Sequence, residues 1–201
     1  RIAVKWYTLA AEQGVAKAQN NLGLMYRDGE GVLQNHKAAV NWFILAAEQQ
    51  NAGGQFNLGV MYNKGNGVLQ DHKAAVNWYT LAANQGFVDA QFNLGVMYDK
   101  GEGVPQNYTT AVNWFTLAAE QGSAKAQFNL GLMYDKGEGV SQNNRIAVKW
   151  YTLAANQGFV DAQFNLGVMY YNGEGVSQDL VYAHMWLNIA ALQGDKDAVE
   201  R

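Results

Sequence analysis

The chain has no cysteine among its 201 residues. Disulfides and thiolate metal sites are therefore excluded, while the compartment stays unknown, because a stacked array of this length can hold together without staples. Charge is scarce too: 15% of residues are charged and the formal net charge is −3. Such a chain lacks the clustered lysine and arginine that nucleic acid or an anionic membrane would demand. No stretch approaches the roughly 18 consecutive apolar residues of a spanning helix, so direct membrane insertion is not expected.

What the chain does have is a period. Trp6, Trp42, Trp78, Trp114, Trp150 and Trp186 stand 36 residues apart, with no other spacing. A period of about 20–50 residues marks a solenoid, in which each repeat buries its apolar face only against its neighbours. A second marker runs in phase: Leu22-Gly23-Leu24-Met25-Tyr26 returns at Leu58, Leu94, Leu130 and Leu166. Arg1 to Ala11 reads the same as Arg145 to Ala155, and Asn84 to Tyr98 the same as Asn156 to Tyr170. The organisation is read as a truncated second helix (1–16), repeats at 17–52, 53–88, 89–124, 125–160 and 161–196, and the start of a closing helix (197–201). Because Arg1 falls in mid-repeat, the chain is read as a piece of a longer protein.

Within the repeat 89–124, Ala90, Leu94, Met97 and Tyr98 share one helical face, and Ala111, Phe115, Ala118 and Ala119 share another. Gly101 and Gly122 follow these two segments and fit helix C-termini, where φ turns positive. Asn107 and Asp71 fit N-caps. The expected fold is all-α: an α-solenoid superhelix of helix–turn–helix repeats, with each tryptophan largely buried between them. One joint departs from the pattern. Gln50 replaces the cap glycine and Gly54 a helix-face alanine, so a frayed or late helix start is expected there.

The Leu-Gly-x-x-Tyr core resembles the first helix of tetratricopeptide repeats. With the recurrent Gly-x-Gly-Val loop (Gly101 to Val104, Gly137 to Val140) and Ala-x-x-Trp-[Tyr/Phe]-x-x-Ala-Ala-x-Gln-Gly, the chain resembles the Sel1-like repeat family over essentially its whole length. The divergent string Met185 to Ile189 is similar to the terminal repeat that precedes a closing helix in that family. The resemblance implies an interaction scaffold, of a kind found in bacterial–host contacts among other settings. A cysteine-rich bacterial subgroup linked to β-lactam binding is a poor match, since cysteine is absent here.

Catalytic chemistry has no visible home, and the chain is not expected to be an enzyme. His36 and His72 are one repeat apart, too far to share a metal, and read as solvated loop residues. His184 stands alone. The Gly-x-Gly lacks a third glycine and follows a helix rather than a strand, which makes a phosphate loop a weak reading. Neither metal nor cofactor is expected.

A protein or peptide partner would use the face of each first helix opposite its Leu/Tyr stripe, the concave side of the expected superhelix. That face carries rows: Asn21, Asn57, Asn93, Asn129 and Asn165; Phe92 and Phe128 with Phe56 and Phe164; and Lys64, Lys100 and Lys136. An asparagine amide both donates and accepts, so it can pair with an extended backbone. The same amides can equally bridge helices within the array, and the phenylalanines can equally be interhelix packing. Two alternatives to the scaffold stay open: a hydrolase or a β-lactam- or peptidoglycan-binding protein by family analogy, and a purely structural spacer. Uncovered faces at Ala3, Tyr7, Ala10 and Ala11 and at Val181, Trp186 and Ile189 also raise the expectation of end-to-end self-association.

Overall fold

The computed structural model describes residues 2–194. They form eleven α-helices and no strand: α1 (Ile2–Glu12), α2 (Ala16–Asp28), α3 (His36–Glu48), α4 (Ala52–Lys64), α5 (His72–Asn84), α6 (Val88–Lys100), α7 (Tyr108–Glu120), α8 (Ala124–Lys136), α9 (Asn144–Asn156), α10 (Val160–Asn172) and α11 (Leu180–Leu192). The closing helix expected near Asp197 lies outside the described residues. The chain divides into two compact bodies, residues 1–106 with α1–α6 and residues 107–201 with α7–α11. In each body every helix packs on the next along the chain.

One leucine position and one aromatic position centre the core. Leu22, Leu58, Leu94, Leu130 and Leu166 of the first helices are fully buried, as are Phe43, Tyr79, Phe115 and Tyr151 of the second helices. The glycine after each of those leucines has a steric reason. A Cβ on Gly23 would meet the Phe43 ring, one on Gly59 the Tyr79 ring, and one on Gly131 the Tyr151 ring. A glycine in a helix costs about 1 kcal/mol in propensity, and here it makes room for an aromatic ring on the following helix. Paired alanines (Ala46 and Ala47, Ala118 and Ala119) are likewise buried and let helix backbones approach.

The tryptophans that reveal the period are not the centre of the core. Trp42, Trp78, Trp114, Trp150 and Trp186 are half-buried, and Trp6 is 67% exposed. The residue one place further on takes the buried site instead, because the tryptophan lies on the flank of the helix face. The expectation of largely buried tryptophans is corrected accordingly.

A buried glutamine ladder, not foreseen from the sequence, ties the repeats. Gln55 Nε2 donates to the Ala47 carbonyl at 3.4 Å, and Gln127 to that of Ala119 at 3.1 Å. Each also accepts from a second glutamine: Gln85 donates to Gln55 at 2.7 Å and Gln157 to Gln127 at 2.8 Å. Gln19 and Gln163 are bonded in the same way. Buried amides need such partners, and these join three successive helices through one side chain.

Caps follow the expected chemistry. Asp71 accepts from Ala74 N–H at 3.0 Å and Asn107 from Thr110 N–H at 2.9 Å. At the irregular joint, α4 starts at Ala52 as its counterparts do, because the Asn51 side chain accepts from Gly54 N–H at 2.8 Å. The expected frayed start is therefore not found. Gln50 does carry the cost, at φ 60°, the one non-glycine with positive φ among the described residues. A side chain there is strained by about 1 kcal/mol or more. Gln50→Gly should raise stability by about 0.5–1 kcal/mol in urea melts. A lower midpoint would show that the Gln50 side chain supplies more than its backbone costs.

Candidate functional site

The predicted rows lie on the first helices of each body, α2, α4 and α6 in one and α8 and α10 in the other. Members of a row differ in what they touch, and Phe128 packs against the core cluster rather than away from it. Asn57 is buried, and its amide bridges two residues of α2: Nδ2 donates to Asn20 Oδ1 at 2.9 Å, and Oδ1 accepts from Arg27 Nη1 at 3.1 Å. Arg27 in turn forks onto Asp28 at 2.7 and 2.8 Å, which holds the Asp28 carboxyl below the usual carboxylate range. Asn129 instead bonds back to its own helix, at the Lys125 carbonyl, 2.8 Å away.

Asn93 and Asn165 lie beside buried tyrosine hydroxyls, those of Tyr79 and Tyr151. Burial pushes the Tyr79 phenol up to about 12, with the Asn93 amide pulling the other way. Tyr151 is raised first by burial and then by the Asp135 charge. The difference between asparagines has a plain cause. The core aromatic is Phe43 and Phe115 in alternate repeats, and Tyr79 and Tyr151 in the others. Only the tyrosines present a hydroxyl to the following asparagine. Asn21 is half-buried.

Phe128 is engaged in the array. Its ring centroid lies 5.9 Å from that of Tyr151 and 5.0 Å from that of Phe159. Phe56 repeats this arrangement with Tyr79 and Phe87, at 5.8 and 4.9 Å. Phe92 is half-buried. Lys64, Lys100 and Lys136 are exposed in the last helical turns, where a cation meets the negative end of the helix dipole.

The histidines are not loop residues. His36 and His72 are the first residues of α3 and α5 and are half-buried. His72 Nδ1 sits 2.8 Å from Asn63 Oδ1, whereas His36 Nδ1 is buried without a partner, because Arg27 occupies the place of Asn63 and turns to Asp28. His184 pairs with Asn188 at 2.9 Å. Among the described residues no cluster of three or more His, Asp or Glu is placed to hold a metal ion. Nor is any described helix long and apolar enough to cross a membrane.

One position on this face went unread in the sequence: Arg27, Asn63, Asp99, Asp135 and Tyr171, one in each first helix. Its signal was available. Most neighbouring positions repeat with little change, and this one carries a different charge or shape almost every time.

The Sel1 repeat family model matches residues 1–15, 16–51, 52–87, 88–123, 124–159 and 160–195. The chain belongs to the Sel1 repeat family. Two solved Sel1 repeat structures, both from bacteria, are similar at sequence level. One is c5321, a protective antigen present in uropathogenic Escherichia coli strains and displaying an SLR fold. It is 42% identical over 96% of this chain and 42% of its own, with a TM-score of 0.95. The other is a Sel1 repeat protein from Oxalobacter formigenes, 37% identical over 92% of this chain and 74% of its own, with a TM-score of 0.86. The chain thus spans less than half the length of the first. Cysteine rich protein B of Helicobacter pylori, 24% identical over 65% of this chain and 94% of its own with a TM-score of 0.52, shares the fold alone. No curated protein matches the chain. Sel1 repeats are helical solenoids of the tetratricopeptide-like kind, and the family is one of protein-interaction scaffolds rather than, typically, of enzymes.

Proposed function

We propose that this Sel1 array binds an extended protein segment along the first-helix face within a body, lined by α2, α4 and α6 in the first or by α8 and α10 in the second. The observation that carries the reading is the polar row itself. Asn129 makes only a local bond to its own helix, which a passing backbone can replace at little cost. Asn57 is different, since losing its amide would free a half-buried Arg27 contact. Lys100, Lys136 and Lys64 supply exposed cations at the rim, and Phe92 and Phe128 offer apolar edges beside the row.

A displayed peptide library selected against the protein supplies the probe, and calorimetric titration of the best peptide the readout. Asn129→Ala should weaken binding about tenfold if its amide pairs with the peptide backbone. Affinity unchanged in Asn129→Ala and in Lys136→Ala would remove this face as the binding surface.

The reading extends to self-association. Ile2 is 76% exposed and Trp6 67%, and an apolar cleft of about 500 Å³ opens between α1 and α2 beside Trp6, Tyr7 and Val15. A second array end can cover this face and produce head-to-tail chains. Light scattering should then show a mass that rises with concentration, and Trp6→Glu should abolish the rise. A constant monomer mass at high concentration would count against it.

A further inference from the structure

The variable position on the first helices has a fixed neighbour. Arg27 Nη1 reaches Asn57 Oδ1 at 3.1 Å, so the last turn of one first helix meets the asparagine of the next. Asp135 and Asn165 are the same two positions three repeats on, 108 residues further along. There the residue beneath them is Tyr151 rather than Phe43. The Tyr151 side chain is fully buried, and its hydroxyl, set beside Asp135 and Asn165, meets neither in good hydrogen-bond geometry. A buried hydroxyl without a well-formed bond is costly, and is uncommon enough to need a reason.

We propose that Asp135, Asn165 and the Tyr151 hydroxyl form a seat in the groove of the second body for one cationic side chain, arginine or lysine, of the bound segment. This rests on the groove reading above and adds to it a chemical class. The seat is acidic where its counterpart in the first body is basic. Arg27 is neutralised by Asp28, and the uncharged Asn63 is engaged by His72. Asp135 has no cationic partner within ion-pair distance among the described residues, only its chain neighbour Lys136 in its wider field. Glu174, held by Asn172 Nδ2 at 3.1 Å, adds a second negative charge from the following loop. Burial and then Glu174 raise the Asp135 carboxyl above its usual range, a repulsion that an incoming cation relieves. The three groups divide the work. In the filled seat the carboxylate accepts the N–H donors of the cation, the Tyr151 O–H closes onto the carboxylate from below, and the Asn165 carbonyl accepts one further N–H. With no third ligand of metal-binding type among the described residues, a planar or tetrahedral nitrogen cation suits the seat better than a metal ion.

The protein itself supplies safe variants. Asn63 stands at the position of Asp135 and Phe43 at that of Tyr151, so Asp135→Asn and Tyr151→Phe introduce residues this fold already carries. The probes are n-butylguanidinium, n-butanol, and two blocked pentapeptides identical except for a central arginine or norleucine. Binding is followed by amide NMR shifts of the whole chain. Butylguanidinium should shift the Asn165 side-chain amide and the backbone around Asp135, and butanol should not. Asp135→Asn should weaken the guanidinium and the arginine peptide about fivefold or more, and Tyr151→Phe about twofold. The norleucine peptide should be indifferent to both. Equal response to butanol, or an arginine preference that survives Asp135→Asn, would overturn the seat. If neither peptide shifts resonances along the asparagine row while butylguanidinium still binds at Asp135, the seat stands and the extended-segment reading fails.

Discussion

Phe43→Ala is expected to cost about 3–5 kcal/mol, the usual loss for truncating a fully buried aromatic. Phe43 has no exposed surface and packs against Ala39, Val40, Ala47, Leu58 and Met61. Its ring also fills the space that Gly23 leaves open, so no neighbouring side chain can swing in to close the cavity. The adjacent Trp42→Ala removes a larger side chain but should cost less, because the indole is only half-buried. Urea melts of the two variants test the order. A greater loss for Trp42→Ala would mean that the half-buried indole, not the ring beneath it, carries the contact between repeats.

Gly139→Ala should be nearly as damaging, at about 3 kcal/mol. Two penalties coincide there. The residue has φ 73°, where a side chain is strained, and a Cβ would fall on the backbone carbonyl of Tyr108 at the start of α7. Neither can be relieved by turning a side chain. Gly122 is the internal control: its φ is 90°, but a Cβ there meets nothing within 4 Å. Gly122→Ala should therefore cost only the backbone term, about 1 kcal/mol. Equal losses at the two glycines would show that the second glycine of the loop is not a packing contact between repeats.

That pair of glycines also separates what could be read from the sequence. Gly139 recurs in every repeat and Gly122 in all but the one with Gln50, and their place after a helix is legible as a demand for positive φ. The close approach of Gly139 to the first residue of α7 is not, since it joins positions 31 residues apart through the stacking of repeats. The asparagine row is a similar case. Its place on one helix face follows from helical geometry, and its members are identical by sequence. Their different bonds, Asn57 to Arg27 and Asn129 to its own Lys125, follow from what the neighbouring helix presents.

The sequence by itself determined the repeat, its length, its two helices and its membership of the Sel1 family, because those rest on periodicity and local backbone demands that every repeat restates. It also determined the buried faces, since apolar spacing on a helix is a local property. Tertiary structure alone decided which aromatic is the core residue, with Phe43 inside and Trp42 at the flank. It alone paired Gln55 with Ala47 and Gln85, and it alone set Asp135 over the buried Tyr151 hydroxyl. The reason is the same in each case. A helix's own sequence fixes which way a side chain points, but the partner it meets belongs to the next helix in the stack.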